Sequence, residues 1–181
     1  RGAQQFATIG ALLGDVVERI ETLYNRDDPS AVTGVPTGFA DLDERTSGLQ
    51  PGDLVIIAGR PSMGKTALVT NIAFNVAKAR LKSLQQYPDK DPTDKTHDGA
   101  IVGFFSLEMS AEQLATRILS EQAAIGSEKI RRGMISEDEF KSLVRVSNEM
   151  SEIPLYIDQT GGISIAQLAA RARKLKRQKG L

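Results

Sequence analysis

Residues Gly59-Arg60-Pro61-Ser62-Met63-Gly64-Lys65-Thr66 fit the phosphate-binding pattern G-x-x-x-x-G-K-[ST] without a gap. Leu54-Val55-Ile56-Ile57-Ala58, just before it, reads as a short buried strand. Residues 67–80, just after it, carry Leu68, Ile72, Ala73, Val76 and Ala77 at helical spacing. Strand, glycine loop and helix in that order aim backbone N–H groups and a helix N-terminus at an anion. Gly59 and Gly64 let the backbone turn where a Cβ would clash. Lys65 is placed to reach the β- and γ-phosphates, and the Thr66 hydroxyl to bind Mg²⁺. A chance match in a loop would lack these flanks. The pattern points to a chain that binds a nucleoside triphosphate.

Holding phosphates hydrolyses nothing; a group must orient or deprotonate the attacking water. Glu108 is the candidate, because it follows the apolar run Gly103-Phe104-Phe105-Ser106-Leu107 at the carboxyl end of a strand. Ligands of open parallel sheets bind at that edge. Position alone equally allows a carboxylate that merely approaches a helix start near Ser110. Asp158 also ends an apolar run, Leu155-Tyr156-Ile157. It reads either as a Mg²⁺-holding aspartate or, between Pro154 and Gly161-Gly162, as a strand-to-turn residue.

Elsewhere strands and helices alternate. Strands are expected at residues 101–107 and 155–157. Helices are expected from Ser110 to about Ile125, from Ser136 to about Met150, and from Ser164 into the basic end. Ser110/Gln113 and Ser136/Glu139 are spaced as capping boxes. This alternation predicts an α/β fold, a parallel sheet with helices on both faces. Residues 85–98 are polar with two prolines and read as a mobile surface loop, with His97 as a solvated residue rather than a catalytic one.

Ahead of this domain, residues 6–24 form an amphipathic helix. Ile9, Leu12, Leu13, Val16, Val17, Ile20, Leu23 and Tyr24 make one apolar stripe, and a polar, Pro-containing hinge follows. The stripe must pack either on its own domain or on a neighbouring subunit. At the other end, Arg171, Arg173, Lys174, Lys176, Arg177 and Lys179 are either a nucleic-acid contact or the solvated face of a helix. Formal net charge is zero, so no global field argues for a polyanionic partner. Cysteine is absent, which excludes disulfides and thiolate metal sites. No apolar run approaches the roughly 18 residues of a membrane span, and no signal peptide is evident, so no membrane contact and a cytoplasmic location are expected.

Thr33-Gly34-Val35-Pro36-Thr37-Gly38-Phe39, Leu42-Asp43, Gly48-Leu49, the loop Arg60 to Thr66 and Phe104-Phe105-Ser106-Leu107-Glu108-Met109-Ser110 closely resemble bacterial replicative helicases of the DnaB type. The resemblance covers the chain except for residues 81–99, which look like a lineage insertion. It implies a linker helix and hinge over 1–30 and the first part of a RecA-like P-loop motor domain over 31–181. It further implies a ring-shaped hexamer, held through the leading helix packing on the adjacent subunit. The implied activity is ATP-driven, 5′-to-3′ unwinding of duplex DNA in the primosome, on single-stranded DNA and with a primase and a loader as partners. By the same resemblance Lys65 and Thr66 bind ATP and Mg²⁺, Glu108 activates water, and Asp158 precedes the Walker B strand. That strand, the DNA-contacting loops and the arginine finger would lie beyond Leu181. The chain, which starts at Arg1, is therefore expected to be a truncated form, a proteolysed product or part of a longer protein, with an incomplete domain and weak or absent catalysis alone. A RecA- or KaiC-like ATPase, or a non-catalytic module binding nucleotide and subunits or a loader, are the alternatives.

Overall fold

The computed structural model describes residues 7–25, 33–50, 64–94, 96–106, 109–160 and 162–179. The expected strand at 54–58 and most of the phosphate-binding pattern, Gly59 to Met63, lie outside these residues. Two parallel strands, β1 (Val102–Phe105) and β2 (Leu155–Asp158), pair in the register Val102 to Leu155 and Phe105 to Asp158. Both therefore end at the same edge of the sheet. Five helices follow the expected periodicities or extend them: α1 (Ile9–Tyr24), α3 (Lys65–Gln86), α4 (Ala111–Ala123), α6 (Glu137–Met150) and α7 (Ile165–Lys179). Two short ones, α2 (Ala40–Thr46) and α5 (Ser127–Arg132), lie where no helix was expected from the sequence.

The helix starts are set by local chemistry. Ser110 accepts from the Gln113 N–H while Gln113 bonds back to the Ser110 N–H, and Ser136 with Glu139 repeats the arrangement. Ser164 and Gln167 do the same ahead of α7, at 2.9 and 3.2 Å. The core lies where α3, α4 and α6 meet. Ala73, Phe74, Val76 and Ala77 face Leu114, Ile118, Leu143 and Val146, all buried. Burying each large side chain here is worth roughly 1.5–3 kcal/mol. α3 also packs against both strands.

The segment after α3 departs from its sequence reading. The helix continues to Gln86, so part of the expected loop is helical. His97 is not solvated but only 5% exposed. Its Nε2 lies 3.2 Å from the Asp91 carbonyl and its Nδ1 2.9 Å from Ser83 Oγ. A carbonyl only accepts, so Nε2 carries the proton and Nδ1 accepts from Ser83. The Ser83 oxygen in turn accepts from the Asp98 N–H at 3.1 Å. Asp91 and Asp94 accept from the backbone N–H groups and hydroxyls of Thr93 and Thr96, which hold both carboxyls below the usual range. Gly99 has φ +65° and lies against the α3 backbone at Val76 and Arg80, where a Cβ would collide. A single histidine in a polar run gives no sign of this burial, because its side-chain partner Ser83 comes from the preceding helix. His97→Ala is expected to cost about 1–3 kcal/mol by stranding Ser83, seen as a lower urea midpoint. An unchanged midpoint would contradict the network.

Candidate nucleotide site

Gly64, Lys65 and Thr66 are the members of the phosphate-binding pattern that fall among the described residues. Gly64 is the N-cap of α3, with φ +76° and ψ 13°. That left-handed conformation is the one a glycine tolerates and a side chain resists, so the sequence places Gly where the turn demands it. Lys65 opens the helix and is exposed; Thr66 is half-buried one residue on. The Leu68 N–H bonds to the Gly64 carbonyl at 2.9 Å, so the earlier N–H groups of the first turn have no intrahelical acceptor.

Electrostatically this helix start differs from the capped ones. α4 has Glu112 in its first turn, and α6 has Glu137, Asp138 and Glu139; each also has a serine cap. α3 has neither an acidic first turn nor a side-chain cap, and its first residue is a lysine. A cation there works against the helix dipole. The arrangement makes physical sense when an anion arrives from outside. Backbone N–H groups, an ammonium and a hydroxyl oxygen, a hard donor, are together the set that suits a polyphosphate with Mg²⁺.

Glu108 lies outside the described residues; the chain on either side of it, up to Ser106 and from Met109, is described. The Ser106 N–H donates to the Asp158 carbonyl at 2.8 Å, continuing the ladder one residue past β1. Ser106 Oγ donates to the Met109 carbonyl at 2.6 Å, and Ser110 then caps α4. The Ala111 N–H donates to Gln159 Oε1 at 2.5 Å, tying α4 to the end of β2. Ser106 and Ala111 are thus each bonded to the end of β2, at the carboxyl edge of the sheet.

The Asp158 carboxylate is occupied otherwise. Thr160 donates from its backbone at 2.9 Å and Arg171 Nη1 lies 2.7 Å away, which together hold the carboxyl below its usual range. This favours the strand-to-turn reading over a metal ligand. Arg171 is thereby turned toward the sheet rather than to a distant polyanion. With Lys174, Leu175 and Gln178 it lines a cavity of about 440 Å³ against Phe104 and Tyr156. Among the described residues no cluster of three His, Cys, Asp or Glu stands ready for a metal.

Residues 34–181 match the family model of the DnaB-like helicase C terminal domain. The chain belongs to this family. The replicative DNA helicase DnaB of Rickettsia prowazekii (strain Madrid E) is 40% identical over 179 residues, covering 98% of this chain and 35% of that protein. DnaB of Geobacillus stearothermophilus is 39% identical over 176 residues, covering 97% and 34%. The chain thus spans about a third of the length of these curated relatives. Among solved structures, one described as an ATPase domain matches with a TM-score of 0.74 at 29% identity, over 97% of this chain and 54% of that one. A DnaB-like replicative helicase, described with its interactions with primase, matches at 0.69 and 28%, over 97% and 36%. These likenesses bear out the expected α/β, RecA-like class for this DnaB-like domain. No described helix is long and apolar enough to cross a membrane.

Proposed function

We propose that this chain is part of the motor of a hexameric replicative DNA helicase, in which ATP hydrolysis drives 5′-to-3′ translocation on single-stranded DNA and unwinding of the duplex. The observation that carries it is the uncapped, acid-free start of α3, with Gly64 left-handed and Lys65 and Thr66 following, in a chain of the DnaB-like family. The residues Gly59 to Thr66 cradle the phosphates through backbone N–H groups. Lys65 offsets the charge that develops on the β- and γ-phosphates. Thr66 would hold Mg²⁺, which when bound supplies neutralising charge at the phosphates. Glu108 orients and deprotonates the attacking water from the carboxyl edge of the sheet.

Assembly is proposed to run through α1. None of its residues is buried; Leu13 is 53% and Val17 62% exposed. A stripe of that size in water carries a free-energy cost, so it takes cover on a neighbouring subunit, a head-to-tail contact that propagates into a ring. Met134, Phe140 and Val144, exposed around α6, present apolar surface of matching character. Changing Leu13 and Val17 together to Asp is expected to lower the oligomer mass in light scattering while nucleotide binding persists. An undisturbed hexamer would place the stripe within its own subunit. Primase and a helicase loader are proposed as further partners on the family resemblance.

The direct test is ATP turnover by the full-length protein with and without single-stranded DNA. Turnover stimulated by DNA is expected. Nucleotide binding without turnover in either condition would leave a binding module instead of a motor.

A further inference from the structure

α7 carries six cations, and no acidic residue stands between Gln159 and Leu181. Two of the six are engaged. Arg171 pairs with Asp158 at 2.7 Å, and Lys179 Nζ lies 5.4 Å from the centre of the Tyr156 ring. The other four, Arg173, Lys174, Lys176 and Arg177, are exposed and have no ion-pair partner among the described residues. On α5 and α6 the charges are balanced instead: Arg132 pairs with Glu128 at 3.0 Å, Lys141 with Glu137 at 3.3 Å and Arg145 with Glu149 at 3.1 Å. Helix stability does not account for the difference. Cations in the last turn suit the helix dipole, which covers Lys176 and Arg177 but not Arg173 and Lys174. Like charges three and four residues apart, Arg173 with Lys176 and with Arg177, repel each other.

The inner face of α7 is spoken for. Leu168, Ala172 and Leu175 are half-buried, and the helix packs against β1. Lys174 borders the cavity beside Phe104. Arg173, Lys176 and Arg177, within about 100° of one another at 3.6 residues per turn, make an outward row. The row offers charge without an apolar anchor, since the large apolar residue exposed on α7, Ile165, stands at the other end of the helix. A protein interface needs a desolvated apolar centre, and a helix lying on a membrane needs a free apolar face, which α7 has turned to the sheet. A nucleic-acid backbone needs neither, because its affinity comes from phosphates neutralised by Lys and Arg. We propose that Arg173, Lys176 and Arg177 form a contact for the phosphate backbone of a nucleic acid, made without regard to base sequence. Arg173 and Arg177, one turn apart, each present a guanidinium fork suited to two oxygens of a phosphate. The contact stands on a different element from the start of α3 and needs no bound nucleotide.

The test is binding of labelled single strands of two unrelated sequences to the full-length protein, by fluorescence anisotropy without nucleotide, over a series of salt concentrations. Arg173, Lys176 and Arg177 are changed together to Gln; all three are exposed and Gln is a good helix former, so the melting temperature is expected to hold. Each phosphate contact contributes about 0.7 to the slope of log affinity against log salt on a single strand. The slope is therefore expected to flatten by about two for each protomer on the strand, equally for both sequences. Arg173→Gln alone, outside the last turn and its dipole, is expected to flatten it by about 0.7. Arg173→Lys with Arg177→Lys keeps the charge and is expected to keep the wild-type slope. An unchanged slope in both Gln variants overturns the proposal and leaves the row a solvated face or a docking site for an acidic protein. A loss confined to one sequence overturns it as well. With no nucleotide present, the result is independent of whether the chain hydrolyses ATP.

Discussion

Lys65→Ala is expected to abolish ATP binding at micromolar concentrations. Lys65 stands at the exposed first position of α3, beside N–H groups of the first turn that have no intrahelical acceptor. Removing its ammonium deletes charge-assisted bonds to the β- and γ-phosphates. At about 1.5–3 kcal/mol for each such bond, two of them correspond to roughly 100-fold or more in affinity. The fold is expected to survive, because the side chain is exposed and alanine suits a helix start better than a cation does. Calorimetry gives the affinity and far-ultraviolet dichroism the fold. A folded variant with wild-type affinity would show that the phosphates are held elsewhere.

Glu108→Gln, in the full-length protein, is expected to keep ATP binding and slow hydrolysis by about 100-fold or more, the usual weight of a general base. The glutamine preserves size and hydrogen bonding but cannot take a proton. Neither the Ser106–Met109 bond nor the Ser110 capping box involves the Glu108 side chain, so the described backbone on either side is expected to stay as it is. Steady-state turnover combined with nucleotide affinity separates the two effects. Turnover at the wild-type rate would return Glu108 to the role of a carboxylate at a helix approach.

Much of this architecture was legible because its signals are local. A serine three residues ahead of Gln113, or of Glu139, announces a helix start through bonds made within one turn. Gly64 is legible for the same reason, since a left-handed glycine cap followed by a helix occurs at a fixed offset in one short segment. What stayed hidden depends on partners distant in sequence. His97 is buried where Ser83 of α3 meets its ring, and nothing in its own polar stretch names that partner. Asp43 sits in a helix of seven residues, too short to show a period, and its carboxylate is buried against Thr37, whose carbonyl accepts from Asn75 of α3. The direction of the basic helix was ambiguous because an Arg that pairs with Asp158 and one that faces solvent look alike in sequence.

Strand displacement by the full-length protein tests most directly whether this chain serves a motor that separates DNA strands. On a forked duplex, unwinding is expected to require ATP, to start from the strand with a free 5′ tail and to be lost with Lys65→Ala. ATP hydrolysis with no displacement of any forked or tailed duplex would contradict that role.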